Sequence, residues 1–169
     1  MPLNRSTFLA AAGACIAAAA VSPAALAAGG SPSKLVKTGS FLGSMKPVVA
    51  GKSPSFVSFG FKGHELVEFS YKFALKCDDG TVRSTLNHPT TPPHAVKVGA
   101  KQARIAFTLT DQGTTITVKG VFGGTAARPT ITGTVKAVDQ TGSTTCHTAG
   151  SGDVSSFTNT WDTPNPSIA

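Results

Sequence analysis

The chain has 169 residues, with 15 Lys and Arg against 8 Asp and Glu, for a formal net charge of +7. Charged residues are sparse while Thr, Ser, Gly and Pro abound, a composition for strands and turns. The length fits one domain with a real core, and beyond the N-terminal segment no apolar run is long enough to span a membrane.

Residues 1–27 read as a cleaved secretory signal peptide, helical before cleavage. Met1 to Phe8 carries Arg5 and no acid, and the apolar run from Leu9 to Val21 is too short to span a bilayer stably. Ser22 and Pro23 break the run, and Ala25-Leu26-Ala27 supplies the small-x-small pattern of a cleavage site. Cleavage after Ala27 places the mature chain outside the cytoplasm. It lowers the net charge from +7 to +6 through the loss of Arg5, and it removes Cys15. Cys77 and Cys146 remain, an even pair in an oxidising compartment, and a disulfide between them is expected. Two buried free thiols are the alternative; a metal site would need CxxC partners that neither cysteine has.

Residues 28–36 are expected to be a flexible basic arm, 37–162 a β-sandwich domain and 163–169 a flexible tail. From Ala28 to Gly63 the chain carries Lys34, Lys37, Lys46, Lys52 and Lys62, with no acid before Glu65. Such a stretch is drawn to anionic polymers or lipid headgroups at a cell envelope, a solvated N-terminus being the plainer alternative. Gly51-Lys52-Ser53 ends like a phosphate loop, but Lys46 stands where the first glycine belongs and no helix is expected behind it; it reads as a polar turn.

Alternation then marks the strands. Val57, Phe59 and Phe61 alternate with polar or small residues, and so do Val67, Phe69, Tyr71, Phe73, Leu75 and Cys77, with Lys62-Gly63 between the runs. A hairpin follows, ended by Asp78-Asp79-Gly80. Asn87–Gly99 is rich in proline and reads as an irregular surface loop. Ala103–Leu109, Ile116–Phe122 and Ile131–Ala137 alternate in the same way, separated by Asp111-Gln112-Gly113 and by a loop after Gly123-Gly124. Shorter strands are expected at Thr38–Leu42, Thr144–Thr148 and Ser155–Thr160. The sum is an all-β domain of about eight strands, an antiparallel sandwich or flattened barrel. Strand parity puts Cys77 on the core face at the end of the longest strand, so Cys146 is expected beside that end.

Gly39-Ser40-Phe41-x-Gly43, the aromatic strand ending in Cys77, Gly120-Val121-Phe122-Gly123, the Thr-rich strand through Gly133, and Cys146 followed by Trp161 form an ordered set. In that order the chain resembles uncharacterised small secreted β-sandwich proteins of high-GC, actinobacterium-like bacteria. The resemblance implies fold and compartment; it carries no activity and no functional residue.

No catalytic, metal or cofactor site is expected. His64, His88, His94 and His147 read as surface histidines, although His88 and His94 flank the proline-rich loop and two imidazoles begin a metal site without completing one. Glu65 and Glu68 face opposite sides of a strand, and Asp78, Asp79 and Asp111 adjoin turn glycines. Trp161 either staples the C-terminus or is an exposed anchor. The expected function is a secreted, non-catalytic binding or envelope-associated protein. Its ligand would be an anionic envelope polymer or a glycan, met through Lys34, Lys37, Lys46, Lys52 and Trp161, and nucleic acid is not an expected partner. An exported hydrolase and a structural surface protein are the alternatives.

Overall fold

A computed structural model describes residues 31–88 and 94–162, and the proposed signal peptide, Ala28–Gly30 and the tail 163–169 lie outside that range. Among the described residues are eleven strands, two short 3-10 turns and no α-helix. The strands are β1 (Gly39–Lys46), β2 (Phe56–Lys62), β3 (Glu65–Cys77), β4 (Val82–Asn87), β5 (His94–Ala95) and β6 (Lys97–Val98). They continue with β7 (Ala103–Asp111), β8 (Thr114–Gly124), β9 (Pro129–Asp139), β10 (Cys146–Thr148) and β11 (Ser155–Trp161).

Every pairing is antiparallel. β1, β2, β3, β10, β9 and β11 pair in a ring that closes on β1, so the all-β expectation holds with a closed barrel at its centre. β8, β7 and β6 extend from the other edge of β9, while β4 and β5 line the other edge of β3. These wings fold toward each other: Phe107 of β7 meets Phe69 of β3 edge-on at 5.3 Å between ring centres and stacks on His94 of β5 at 4.9 Å.

The inward faces of the ring and its wings meet in one aromatic core. Phe41, Phe59, Phe61, Phe69, Phe73, Phe107, Phe122 and Phe157 are all buried there, with Tyr71 among them. Room for these rings comes from glycine. Gly120 and Gly133 are partners across β8 and β9, Gly133 is also the partner of Phe157, and the Phe157 ring lies over both glycines. A β-carbon on Gly133 would strike the Lys119 carbonyl and crowd Phe157, so only glycine fits this seat. Gly43 similarly lets Asn159 reach past β1, where its amide donates to the carbonyls of Phe41 at 3.1 Å and Val57 at 2.7 Å.

Register explains one departure from the expected parity. Phe61 pairs with Leu66 and Gly60 with Glu68, which leaves Val67 unpaired as a bulge. Leu66, fully buried, takes the core seat expected of Val67, and Val67 is only half-buried. From Phe69 to Cys77 the expected face is inward.

Cys77 and Cys146 are direct cross-strand partners and form a disulfide, with α-carbons 3.8 Å apart. The neighbouring amide of Asp78 donates to the Thr145 carbonyl and that of Cys77 to Thr81, so the cysteines occupy a non-hydrogen-bonded pair, where side chains approach most closely.

Three expectations are corrected. Of the expected arm, the described part packs: Pro32–Leu35 form a 3-10 turn, and Leu35 and Val36 enter the core because two adjacent aliphatic side chains find a seat against β7 and β8. The region 87–99 is not irregular throughout, because β5 pairs with β3 and β6 with β7 around a buried Val96; residues 89–93 lie outside the described range. Finally, the sequence pattern carries no expectation of β4, on which Arg83, Thr85 and Asn87 are half-buried while Ser84 is exposed.

Candidate binding face and polar cleft

Alternation decides which residues a sheet presents to solvent, and register decides which of those become neighbours. β7, β8, β9, β11 and β1 are consecutive, and their outward side chains form transverse rows. One row runs Ala106, Lys119, Thr134, Ser156, Lys46. The adjacent row runs Arg104, Val121, Thr132, Thr158, Ser44, and on the other side lie Thr108, Thr117 and Lys136. Lys119 is thus the diagonal neighbour of both Arg104 and Lys136, at about 7–8 Å. It shares its row with Lys46 three strand spacings away, roughly 14 Å.

No outward position on these five strands is Asp or Glu; their two acids, Asp111 and Asp139, point inward. The remaining outward residues are mostly threonine and serine. Two facing pairs are hydrogen-bonded, Thr108 with Thr117 at 3.0 Å and Thr110 with Thr115 at 3.3 Å. Four cations on strands that turn no carboxylate outward, set in a field of hydroxyls, make an anion-attracting surface. At the Lys46 end the face runs into an open groove of about 540 Å³, whose wall includes Thr134, Ser151, Ser156 and the exposed Val48.

Only one of the sequence-nominated cations belongs to this face. Lys46 closes β1 within the row just described. Lys52 is exposed in the turn after β1, and Lys34 is exposed in the N-terminal 3-10 turn. Lys37 lies beyond the other end of β1, about 23 Å of strand away, with its ammonium 4.3 Å from the centre of the Trp161 ring. Trp161 is half-buried against the core. Arg104, Lys119 and Lys136 were legible as outward positions of their own strands, but only the pairing of β9 with β11 and β11 with β1 brings them into one field with Lys46.

A second polar site opens where the β4 edge meets the turn between β7 and β8. Tyr71 donates to a carboxylate oxygen of Asp111 at 2.8 Å, and the Asn87 amide donates to the same oxygen at 2.5 Å. Burial pushes the Tyr71 phenol above its ordinary range, and Asp111, which accepts its hydrogen, pushes it further. Asp139 is buried; it accepts from the Thr141 amide and hydroxyl at 2.9 and 2.7 Å and faces Arg83 at 3.9 Å. The cleft beside these groups measures about 430 Å³.

The histidines are dispersed. His88 bonds the Ser70 hydroxyl at 2.6 Å, His94 stacks on Phe107, and His147 stands 3.7 Å from both Asp78 and Asp153 beside the disulfide. Among the described residues no three His, Cys, Asp or Glu side chains are grouped to hold a metal ion, and no helix is long and apolar enough to cross a membrane. No protein-family model, curated protein or solved structure matches the chain.

Proposed function

We propose that this chain is an exported, non-catalytic binding protein that holds an extended anionic polymer of the cell envelope, one bearing phosphate, sulfate or carboxylate groups, on the outward face of β7, β8, β9, β11 and β1. The observation that carries the reading is the row and diagonal arrangement of Arg104, Lys119, Lys136 and Lys46 with no outward carboxylate among them. A five-stranded face is about 19 Å across, wide enough to meet several charges of a polymer at once. Threonine and serine hydroxyls between the cations supply donors to the same anionic oxygens. Export rests on the signal-like residues 1–27, and a disulfide suits an oxidising compartment.

The test is retention on immobilised polyphosphate and on heparin, with neutral dextran as control. The reading expects retention on both anionic matrices, release by salt as screening shortens the reach of the charges, and none on dextran. Lys119→Glu combined with Lys136→Glu abolishes retention, whereas Lys34→Glu combined with Lys52→Glu leaves most of it. Salt-insensitive retention, or equal loss in both double variants, contradicts the assignment to this face.

A further inference from the structure

β4 breaks the pattern that the other long strands obey. Arg83, Thr85 and Asn87 occupy three of its four half-buried positions, Val82 the fourth, while the apolar Leu86 is 61% exposed. Polar side chains turned toward an interior destabilise a fold unless they find partners there. Asn87 finds Asp111 and Arg83 faces Asp139. The Thr85 hydroxyl is buried and has no partner among the described residues.

Thr85 lines the cleft of about 430 Å³ together with Asn87, Gln112, Thr114, Asp139 and Thr141. That volume is within the range of small-molecule sites, roughly 300–1,000 Å³. The lining mixes hydroxyls, which donate and accept, with two side-chain amides and a buried carboxylate. Leu86 adds an exposed apolar surface at the rim. Tyr71 offers no ring face to a ligand, since Phe73 stacks on it at 4.6 Å and Phe69 lies against it at 5.8 Å.

We propose that this cleft binds one neutral sugar residue, either a free monosaccharide or the end of a glycan. A pyranose presents hydroxyls that both donate and accept, matching the Thr, Asn, Gln and Asp groups, and a C–H face that matches Leu86. An anionic ligand would face the buried Asp139 carboxylate, and an aromatic one would have no ring to stack on. The site lies apart from the cationic face and stands whether or not that face binds a polymer.

The experiment is saturation-transfer NMR on the disulfide-bonded protein with the methyl glycosides of glucose, galactose and mannose, and with the corresponding disaccharides. Transfer to at least one methyl glycoside assigns a free-sugar site; transfer to disaccharides alone assigns a glycan end. Thr85→Val keeps the side-chain shape and replaces the unpartnered hydroxyl with a methyl. It is expected to weaken binding on the order of tenfold or more while the unfolding midpoint stays or rises. Leu86→Ala, at an exposed position, is expected to weaken binding without moving the midpoint. Lys119→Glu with Lys136→Glu leaves sugar binding unchanged, which separates this site from the polymer face. Absence of transfer from every sugar, or binding that survives both Thr85→Val and Leu86→Ala, overturns the proposal.

Discussion

Tyr71 of β3 donates its phenolic hydrogen to Asp111 at the end of β7, 2.8 Å away, although β3 and β7 are not joined by strand pairing. The bond ties one wing of the fold to the other, and Asn87 of β4 reinforces it on the same oxygen.

Tyr71 is the one tyrosine in the chain, so its titration is separable from all others. Its phenol is raised above the ordinary value near 10 that an unfolded tyrosine keeps. Above that pH the unfolded chain releases the proton while the native state retains it, so stability falls as pH rises from about 10 toward the higher native value. Below pH 10 the contribution is fully present. Tyr71→Phe is expected to lose about 1 kcal/mol at neutral pH and to show a weaker decline above pH 10 than the parent protein. Urea unfolding of both proteins at neutral and alkaline pH checks this; parallel declines refute it.

The disulfide joins residues 69 positions apart, a loop whose closure is worth about 4 kcal/mol in the chain-entropy estimate. Replacing both cysteines by alanine is expected to lower stability by about 2–5 kcal/mol. β10 is only three residues long and ties β3 to β9, so loss of amide protection should concentrate there. Hydrogen exchange of the double variant reads that localisation, and uniform loss across all strands contradicts it.

Gly133→Ala adds one methyl where the Lys119 carbonyl, Gly120 and the Phe157 ring already meet. Overpacking of this kind costs roughly 1–3 kcal/mol. Gly63→Ala also disturbs a glycine, but at a positive φ of 57° with open space around it, so its penalty is conformational alone. Denaturant midpoints of the two variants should fall by different amounts, the larger loss belonging to Gly133→Ala; the reverse order refutes the packing argument.

Long strands were legible because each has one apolar and one polar face. Ala103 to Leu109 and Ile131 to Ala137 alternate cleanly and fold as read, and Phe69 to Cys77 keep their core face, although Ser70 and Ala74 on the opposite face are buried as well. β4 was not, because burial of Arg83, Thr85 and Asn87 depends on partners from distant parts of the chain, and Leu86 points outward against its own hydropathy. Val67 misled for a different reason: a bulge shifts the pairing by one residue, and alternation cannot reveal an insertion in the ladder. The disulfide was legible from parity together with an even cysteine count. The cationic face was half legible: each strand announces its own outward lysine, but the order of β1, β11, β9, β8 and β7 follows from long-range pairing.

The most direct test of the central claim is the affinity of the protein for polyphosphate, measured by titration at rising salt, for the parent and for Lys119→Glu with Lys136→Glu. The account predicts binding that weakens steeply with salt, a loss on the order of tenfold or more in the double variant, and unchanged unfolding midpoints because both side chains are exposed. Affinity that is equal in parent and variant, or absent at low salt in both, would contradict it.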